Sequence, residues 1–215
     1  VIEAVDDELG EDYAKLAGLS AEEDLQESTK DSMKKRLPWL IILLFLGMLV
    51  SSVVGVFEDV VAILPIVICF QSLVLDMAGN VGTQSLAVTI RVLMDENLSA
   101  KDKLHLTFKE AKVGFSSGLL LGMLALVFLG VYIYLFKGYS LGHAFLISSC
   151  VGASLFLAMI ISSLVGTLIP LFFNKIKIDP AVASGPLITT VNDLVAVVTY
   201  YGLAWILLIE IMHIA

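Results

Sequence analysis

The sequence predicts an all-helical integral membrane protein with five membrane-spanning helices per subunit. Of the 215 residues, 58% are hydrophobic, and the mean hydropathy is +0.94, whereas soluble domains contain roughly 45–50% apolar residues. The apolar residues also fall in blocks near or above the roughly 20 residues that a helix needs to cross about 30 Å of hydrocarbon. Few charges interrupt these blocks, so a water-soluble fold is not expected.

The acidic residues mark off a separate amino-terminal segment. The net charge is −8, and residues 1–31 hold eleven acidic residues against only two lysines. We therefore divide the chain into a cytoplasmic acidic segment of connecting helices, 1–36, and a membrane domain, 37–215. This acidity argues against a nucleic-acid partner. Because the chain opens without a methionine, we expect it to be a piece of a longer protein. Because it opens with acidic residues and not with a basic, apolar leader, we expect no signal peptide in this sequence.

Five apolar runs give the predicted spans. The first is entered through Pro38 and Trp39, whose indole suits the membrane interface. Glu58 and Asp59 are expected to form the turn into the second span, a charged loop precedes the third, and Lys137 opens a short turn before the fourth. The predicted spans are 37–57, 60–94, 113–136, 141–173 and 180–212.

The fourth span is expected to pack closely against its neighbours, because small residues let helices approach one another in lipid. These residues are Gly152, Ala153, Ser154, Ser162, Ser163 and Gly166.

Basic residues predict the orientation. They lie before the first span, between the second and third, and before the fifth, whereas only Lys137 falls on the opposite side. The positive-inside rule then places the amino terminus in the cytoplasm and the carboxyl terminus outside, in a multi-pass protein of the plasma membrane.

Asp193 is the most informative residue, because it lies near the middle of the fifth span. A carboxylate there costs about 2.5–3.5 kcal/mol on translocon scales and normally faces a bundle interior or an aqueous path. Gly185, Thr189 and Asp193 recur at spacings of four and form a small, oxygen-bearing stripe. Thr190 and Asn192 lie beside this stripe. Ligation by oxygen alone suits a hard cation.

The second span has a matching polar face formed by Asp76, Asn80, Thr83 and Ala87. Its polar groups either help to bind a cation or only bond helices together. Asp76 is expected nearer the outer half of the span, where it titrates, caps or binds ions at the mouth.

Enzyme chemistry and a zinc site are not expected. The sequence has no serine, histidine and acid grouping and no phosphate-cradling loop. None of its three histidines is placed with a second nitrogen or sulfur ligand. Cys69 and Cys150 lie inside apolar runs, where a cysteine acts as a small hydrophobe.

Two long strings resemble the transmembrane domain of MgtE magnesium channels. They are MAGNVGTQSLAVTIR in the second span and DPAVASGPLITTVNDLVAVVTYYGLA in the fifth, and KKRLPWL before the first span matches as well. The resemblance implies a homodimer with a central pore lined by the second and fifth helices. It also implies that Asp193 is the central pore aspartate, with Gly185 and Thr189 lining the pore toward the cytoplasm.

The sequence departs from the family pattern at several positions. Gly185 and Thr189 stand where some members are expected to have asparagine and alanine, and Asp76 replaces a small residue. Members usually carry further cytoplasmic domains, and residues 1–19 resemble only the plug helix that follows them. The resemblance implies that the acidic residues of this helix join in magnesium sensing; they are Asp6, Asp7, Glu8, Glu11 and Asp12.

The function that we predict is the transport of Mg²⁺ by a homodimer in a lipid bilayer, with Mn²⁺ and Co²⁺ as further candidate ions. Mg²⁺ gives up its water reluctantly and is usually held by one or two carboxylates with waters retained. Two copies of Asp193 would supply them. The alternatives are a sodium- or proton-coupled exchanger of divalent cations and a membrane assembly module that transports nothing.

Overall fold

The computed structural model describes residues 14–15, 17–19, 26–94, 98–180 and 185–211. In these residues the chain is helical and has no strand. Five helices are long and apolar enough to cross a membrane, which confirms the predicted all-helical class and the number of spans. They are α1 (Thr29–Gly55), α3 (Ile68–Leu93), α4 (Ala100–Phe136), α5 (Leu141–Lys175) and α6 (Gly185–Leu203), which continues as a π-helix over Ala204–Ile211. The short helix α2 (Glu58–Ile63) precedes α3.

Serine caps set the starts of α1 and α4. The hydroxyl of Ser28 accepts the backbone N–H of Asp31 at 3.3 Å, and Ser99 forms a reciprocal capping box with Asp102. These caps satisfy amide groups that a helix start leaves unpaired. As a result, α1 begins at Thr29 and α4 at Ala100. The two helices therefore begin before the predicted spans, because hydropathy detects only the part of a helix that crosses the bilayer. The charged loop that we expected before the third span was wrong over 100–112, which belong to α4.

The second predicted span is broken near its outer end. Glu58 and Asp59 form the first turn of α2 instead of a turn between helices. Leu64 leaves the helical region, with φ −132° and ψ 75°, and a 3-10 turn over Pro65–Val67 leads into α3. Proline disfavours a helical conformation in the residue before it. The candidate span therefore runs over Pro65–Leu93 and does not begin at 60.

Helix α5 forms the centre of the bundle and packs along α3, α4 and α6. Its contact with α4 is closest where two glycines meet. A Cβ added at Gly122 would lie 2.7 Å from the backbone oxygen of Gly152, and one at Gly152 would lie 2.5 Å from that of Gly122. All the small residues named for the fourth span are buried except Ala153, which is half-buried. Their predicted packing role is confirmed.

Helix α1 lies at the edge of the bundle, where it packs against α6 and has no buried residue. Large apolar side chains, Leu44 and Phe45 among them, are exposed along it. An outward-facing apolar surface of this kind is expected for a helix in contact with lipid.

Candidate functional site

Helices α3 and α6 are antiparallel neighbours. At the predicted outer end, two tyrosines fix the register of one helix against the other. The hydroxyl of Tyr200 donates to the backbone oxygen of Val67 at 2.6 Å. The hydroxyl of Tyr201 donates to Oε1 of Gln71 at 2.5 Å. Both tyrosine side chains are buried. These bonds tie the start of α3 to the outer part of α6.

Two glycines of α3 allow close contact with α6 further along. A Cβ at Gly79 would lie 3.2 Å from Cγ2 of Thr189, and a Cβ at Gly82 would lie 3.2 Å from Cγ2 of Ile188 and would overlap the side-chain amide of Asn192. Only glycine leaves room for these side chains. The interface is therefore close-packed where α6 carries its predicted polar stripe.

These contacts bring Asp76 and Asp193 into the same stretch of the interface. Val67 contacts Tyr200, and Gly79 contacts Thr189. Asp76 lies between the first members of these two pairs along the chain, and Asp193 lies between the second members. Asp76 lies in the first half of α3, the half predicted to face outside, and the antiparallel register puts it at the same level as Asp193.

The predicted polar face of α3 faces outward. Asp76, Asn80 and Ala87 are exposed, and Thr83 is half-buried. The hydroxyl of Thr83 donates to the backbone oxygens of Asn80 at 2.9 Å and Gly79 at 3.1 Å. Since its hydrogen is directed at the backbone, lone pairs of the Thr83 oxygen remain available to a cation.

The predicted stripe on α6 is half-buried at Gly185, Thr189 and Asp193. The Thr189 hydroxyl donates to the backbone oxygen of Gly185 at 3.0 Å, and Thr190 donates to that of Pro186 at 2.9 Å. The described residues contain no group of three or more His, Cys, Asp or Glu side chains that could hold a metal ion. Within one chain, an ion near Asp193 would thus meet at most one further acidic side chain and would take its other ligands from amides, hydroxyls, carbonyls and water.

Asn192 differs from the other predicted ligands. Its exposed fraction is 0%, its side chain is pressed against Gly82, and neither of its amide atoms has a hydrogen-bond partner. In this arrangement Asn192 lies behind the polar stripe, in the contact between α3 and α6.

The amino-terminal segment reaches the start of α6. Lys15 forms an ion pair with Asp179 at 2.8 Å. Gly18 has φ +79° and lies beside the Trp39 ring. A Cβ added at Gly18 would lie 3.4 Å from Cγ of Pro186. The five acidic residues that we predicted to sense cations lie outside the described residues.

One buried carboxylate was missed by the sequence reasoning. Glu110 of α4 has an exposed fraction of 4%, although we had assigned it to a charged loop. Buried residues recur every four positions across the predicted loop boundary, at Leu106, Glu110, Gly114, Gly118 and Gly122. This spacing is the signal that would have identified Glu110 as part of a helix.

Residues 71–203 match the family model MgtE, described as a divalent cation transporter. This match covers α3 to α6 almost completely and includes both polar faces.

Three curated relatives are named magnesium transporter MgtE. The protein from Bacillus subtilis (strain 168) is 37% identical over 204 residues, which make up 95% of this chain and 43% of the relative. That from Enterococcus faecalis has the same identity and coverage. That from Thermus thermophilus is 31% identical over 211 residues, 97% of this chain and 44% of the relative. The chain thus spans less than half the length of these relatives.

The match confirms the family resemblance seen in the two strings. It also confirms the prediction that the protein is not an enzyme, since the family is one of transporters. With several apolar helices, the protein is a multi-pass membrane protein. The chain belongs to the MgtE family of divalent cation transporters.

Proposed function

We propose that this protein carries Mg²⁺ across the membrane along the polar faces of α3 and α6. The observation that carries this proposal is the position of Asp76 and Asp193 in one stretch of the α3–α6 interface, which the contacts of Tyr200, Gly79 and Gly82 establish. Two like charges in a membrane bundle repel each other and are costly to desolvate, and a divalent cation between them offsets both effects. The relatives' names point to the same ion.

The exposed polar face of α3 supports the proposal of a homodimer. Asp76, Asn80 and Gln84 are exposed on a helix of membrane-spanning length. Such groups are costly against lipid and normally face a bundle interior or a water-filled cavity. We therefore propose that a second copy covers this face and that the two copies enclose a central pore. The pore would present two Asp193 carboxylates to a hydrated or partly hydrated ion.

We place this dimer in the plasma membrane with the amino terminus in the cytoplasm and the carboxyl terminus outside, because most basic residues near the spans lie on one side. Residues 1–36 then form the cytoplasmic segment and 37–215 the conducting domain. Mn²⁺ and Co²⁺ share the charge of Mg²⁺ and are candidate competitors.

The test is Mg²⁺ entry into liposomes that contain the purified protein and a trapped Mg²⁺-sensitive dye. We expect entry that follows the Mg²⁺ gradient and the membrane potential. Dependence on an imposed sodium or proton gradient would favour a coupled exchanger, for which Asp76 supplies a second carboxylate. No entry above empty liposomes would favour an assembly module and contradict the proposal.

Asp76→Asn is expected to weaken the apparent affinity for Mg²⁺ by about 30-fold, since a unit charge and a divalent ion about 4 Å apart interact by about 2 kcal/mol in water. The measurement is initial uptake against external Mg²⁺. Asp59→Asn, which neutralises an exposed carboxylate of α2, is the control. Equal affinities in the wild-type and Asp76→Asn proteins would make Asp76 purely structural. Equal losses in both variants would indicate only a general effect of surface charge.

Neutralising Asp6, Asp7, Glu8, Glu11 and Asp12 together is expected to raise the internal Mg²⁺ concentration needed for inhibition by about fivefold or more, the lower end of usual couplings between sites. Support comes from the ion pair of Lys15 with Asp179, which holds the neighbouring segment at the start of α6. Uptake is measured against internal Mg²⁺, with neutralised Glu22, Glu23 and Asp24 as the control. Superimposable curves for the wild-type and five-site proteins would refute the sensing role.

A further inference from the structure

Glu110 is a buried acidic residue that the proposed ion pathway does not use. Oε2 of Glu110 accepts the hydroxyl of Ser85 on α3 at 2.9 Å. The backbone oxygen of Glu110 accepts the hydroxyl of Ser163 on α5 at 2.8 Å. Both serines are buried as well. One residue of α4 therefore bonds to two other helices in the interior of the bundle.

The bond to Ser85 reaches the back of the helix that carries the polar face. Ser85 follows Asp76 by nine residues, which is two and a half turns at 3.6 residues per turn, so the two side chains point in opposite directions. Thr83 and Ala87 lie on the Asp76 side of α3. The carboxylate of Glu110 thus holds α3 from the side opposite its polar face.

Direct packing between α3 and α4 is slight, whereas each packs extensively on α5. Gly114, one turn after Glu110, keeps α4 close to α5, because a Cβ there would lie 2.6 Å from the Ser163 hydroxyl oxygen. Since α4 touches α3 at few places, the bond from Glu110 to Ser85 is a main polar link between them. Its loss would leave α3 held only by its packing on α5 and α6, so that small shifts of its polar face are no longer restrained by α4.

We infer that Glu110 is a positioning residue that holds the back of α3 through Ser85 and thereby sets where Asp76 and Asn80 stand relative to Asp193. This inference rests on the proposed function. It requires an acceptor at position 110 and a donor at position 85, and it does not require the negative charge. Glutamine at position 110 keeps an acceptor oxygen of the same reach, and alanine removes it.

Transport provides the first test. Ser85→Ala and Glu110→Ala are each expected to raise the Mg²⁺ concentration for half-maximal uptake about tenfold, the size expected when a buried hydrogen bond is lost and its remaining partner is left unsatisfied. The maximal rate per folded protein should change little, and Glu110→Gln should restore the wild-type value. The double alanine variant should lose no more than either single variant, because both remove one bond. Ser52→Ala is the control, since the Ser52 hydroxyl is exposed and bonds only to its own helix, at 2.9 Å from the Met48 oxygen.

A second measurement does not depend on transport. In a Cys69→Ser, Ala87→Cys background, a charged thiol reagent reports the position of the polar face through its labelling rate, while Cys150 stays buried. Glu110→Ala and Ser85→Ala are expected to change this rate, and Glu110→Gln is not. Unchanged labelling in both alanine variants, or a glutamine variant as impaired as alanine, would overturn the inference. If the wild-type protein carries no Mg²⁺, the proposed function fails, and the labelling result still decides the role of Glu110.

Discussion

Replacing Asp193 by asparagine is expected to abolish Mg²⁺ uptake while the protein stays folded. Asparagine keeps the shape of the side chain and loses its charge. The charge offsets the hydration that the ion gives up, and losing about 2.7 kcal/mol of such stabilisation corresponds to a decrease of about 100-fold. In the proposed dimer, which has one Asp193 in each subunit, the expected decrease is larger. Asp193→Ala should behave in the same way.

The uptake assay in dye-loaded liposomes measures this effect, with the amount of folded protein determined by size-exclusion chromatography. Glu210→Gln is the matched control, because Glu210 is an exposed carboxylate further along the same helical segment. Without Mg²⁺, the Asp193→Asn protein should be at least as thermally stable as wild type, since a half-buried charge in a membrane bundle is costly. Wild-type uptake by Asp193→Asn would remove Asp193 from the pathway.

Gly82→Ala is expected to cause the largest loss of stability. The added methyl would overlap the buried amide of Asn192, and the backbone oxygen of Gly82 is already packed against Gly166 of α5. Overpacking of this kind usually costs about 1–3 kcal/mol. Because the overlap lies between α3 and α6, uptake should fall together with the yield of folded protein.

Thermal unfolding in detergent, followed by tryptophan fluorescence, measures this loss. Gly47→Ala is the control, since an added Cβ there meets nothing within 4 Å, and alanine is favoured over glycine in a helix by about 1 kcal/mol. Combining Gly82→Ala with Asn192→Ala should recover stability, because the shorter side chain removes the overlap. A Gly82→Ala protein as stable as Gly47→Ala would show that α3 and α6 are not in close contact.

The membrane-spanning parts of the fold were predictable because their signals are local. The end of α4 at Phe136 and the start of α5 at Leu141 agree with the sequence, where Gly138, with φ +74°, and Ser140 mark the turn. The starts of α1 and α4 were missed because each helix continues beyond its apolar run through charged residues. The caps Ser28 and Ser99 were the available signals.

The candidate site was predictable within a helix and not between helices. Gly185, Thr189 and Asp193 fall on one stripe because a single helical period relates them. The level of Asp76 relative to Asp193 depends on how Gly79 and Gly82 fit against α6, which no local pattern encodes. Glu110 was missed for a related reason, since its burial depends on contacts with two other helices.

The most direct test of the proposed pathway is to locate a bound divalent cation. Crystals of the full-length protein grown with Mn²⁺ in place of Mg²⁺, measured at the manganese absorption edge, would show the ion by its anomalous scattering. We predict a peak on the two-fold axis of the dimer, between the two Asp193 side chains and level with Asp76, and its loss in Asp193→Asn. Manganese that binds only elsewhere, with no peak beside Asp193 in the wild-type protein, would contradict an ion pathway along α3 and α6.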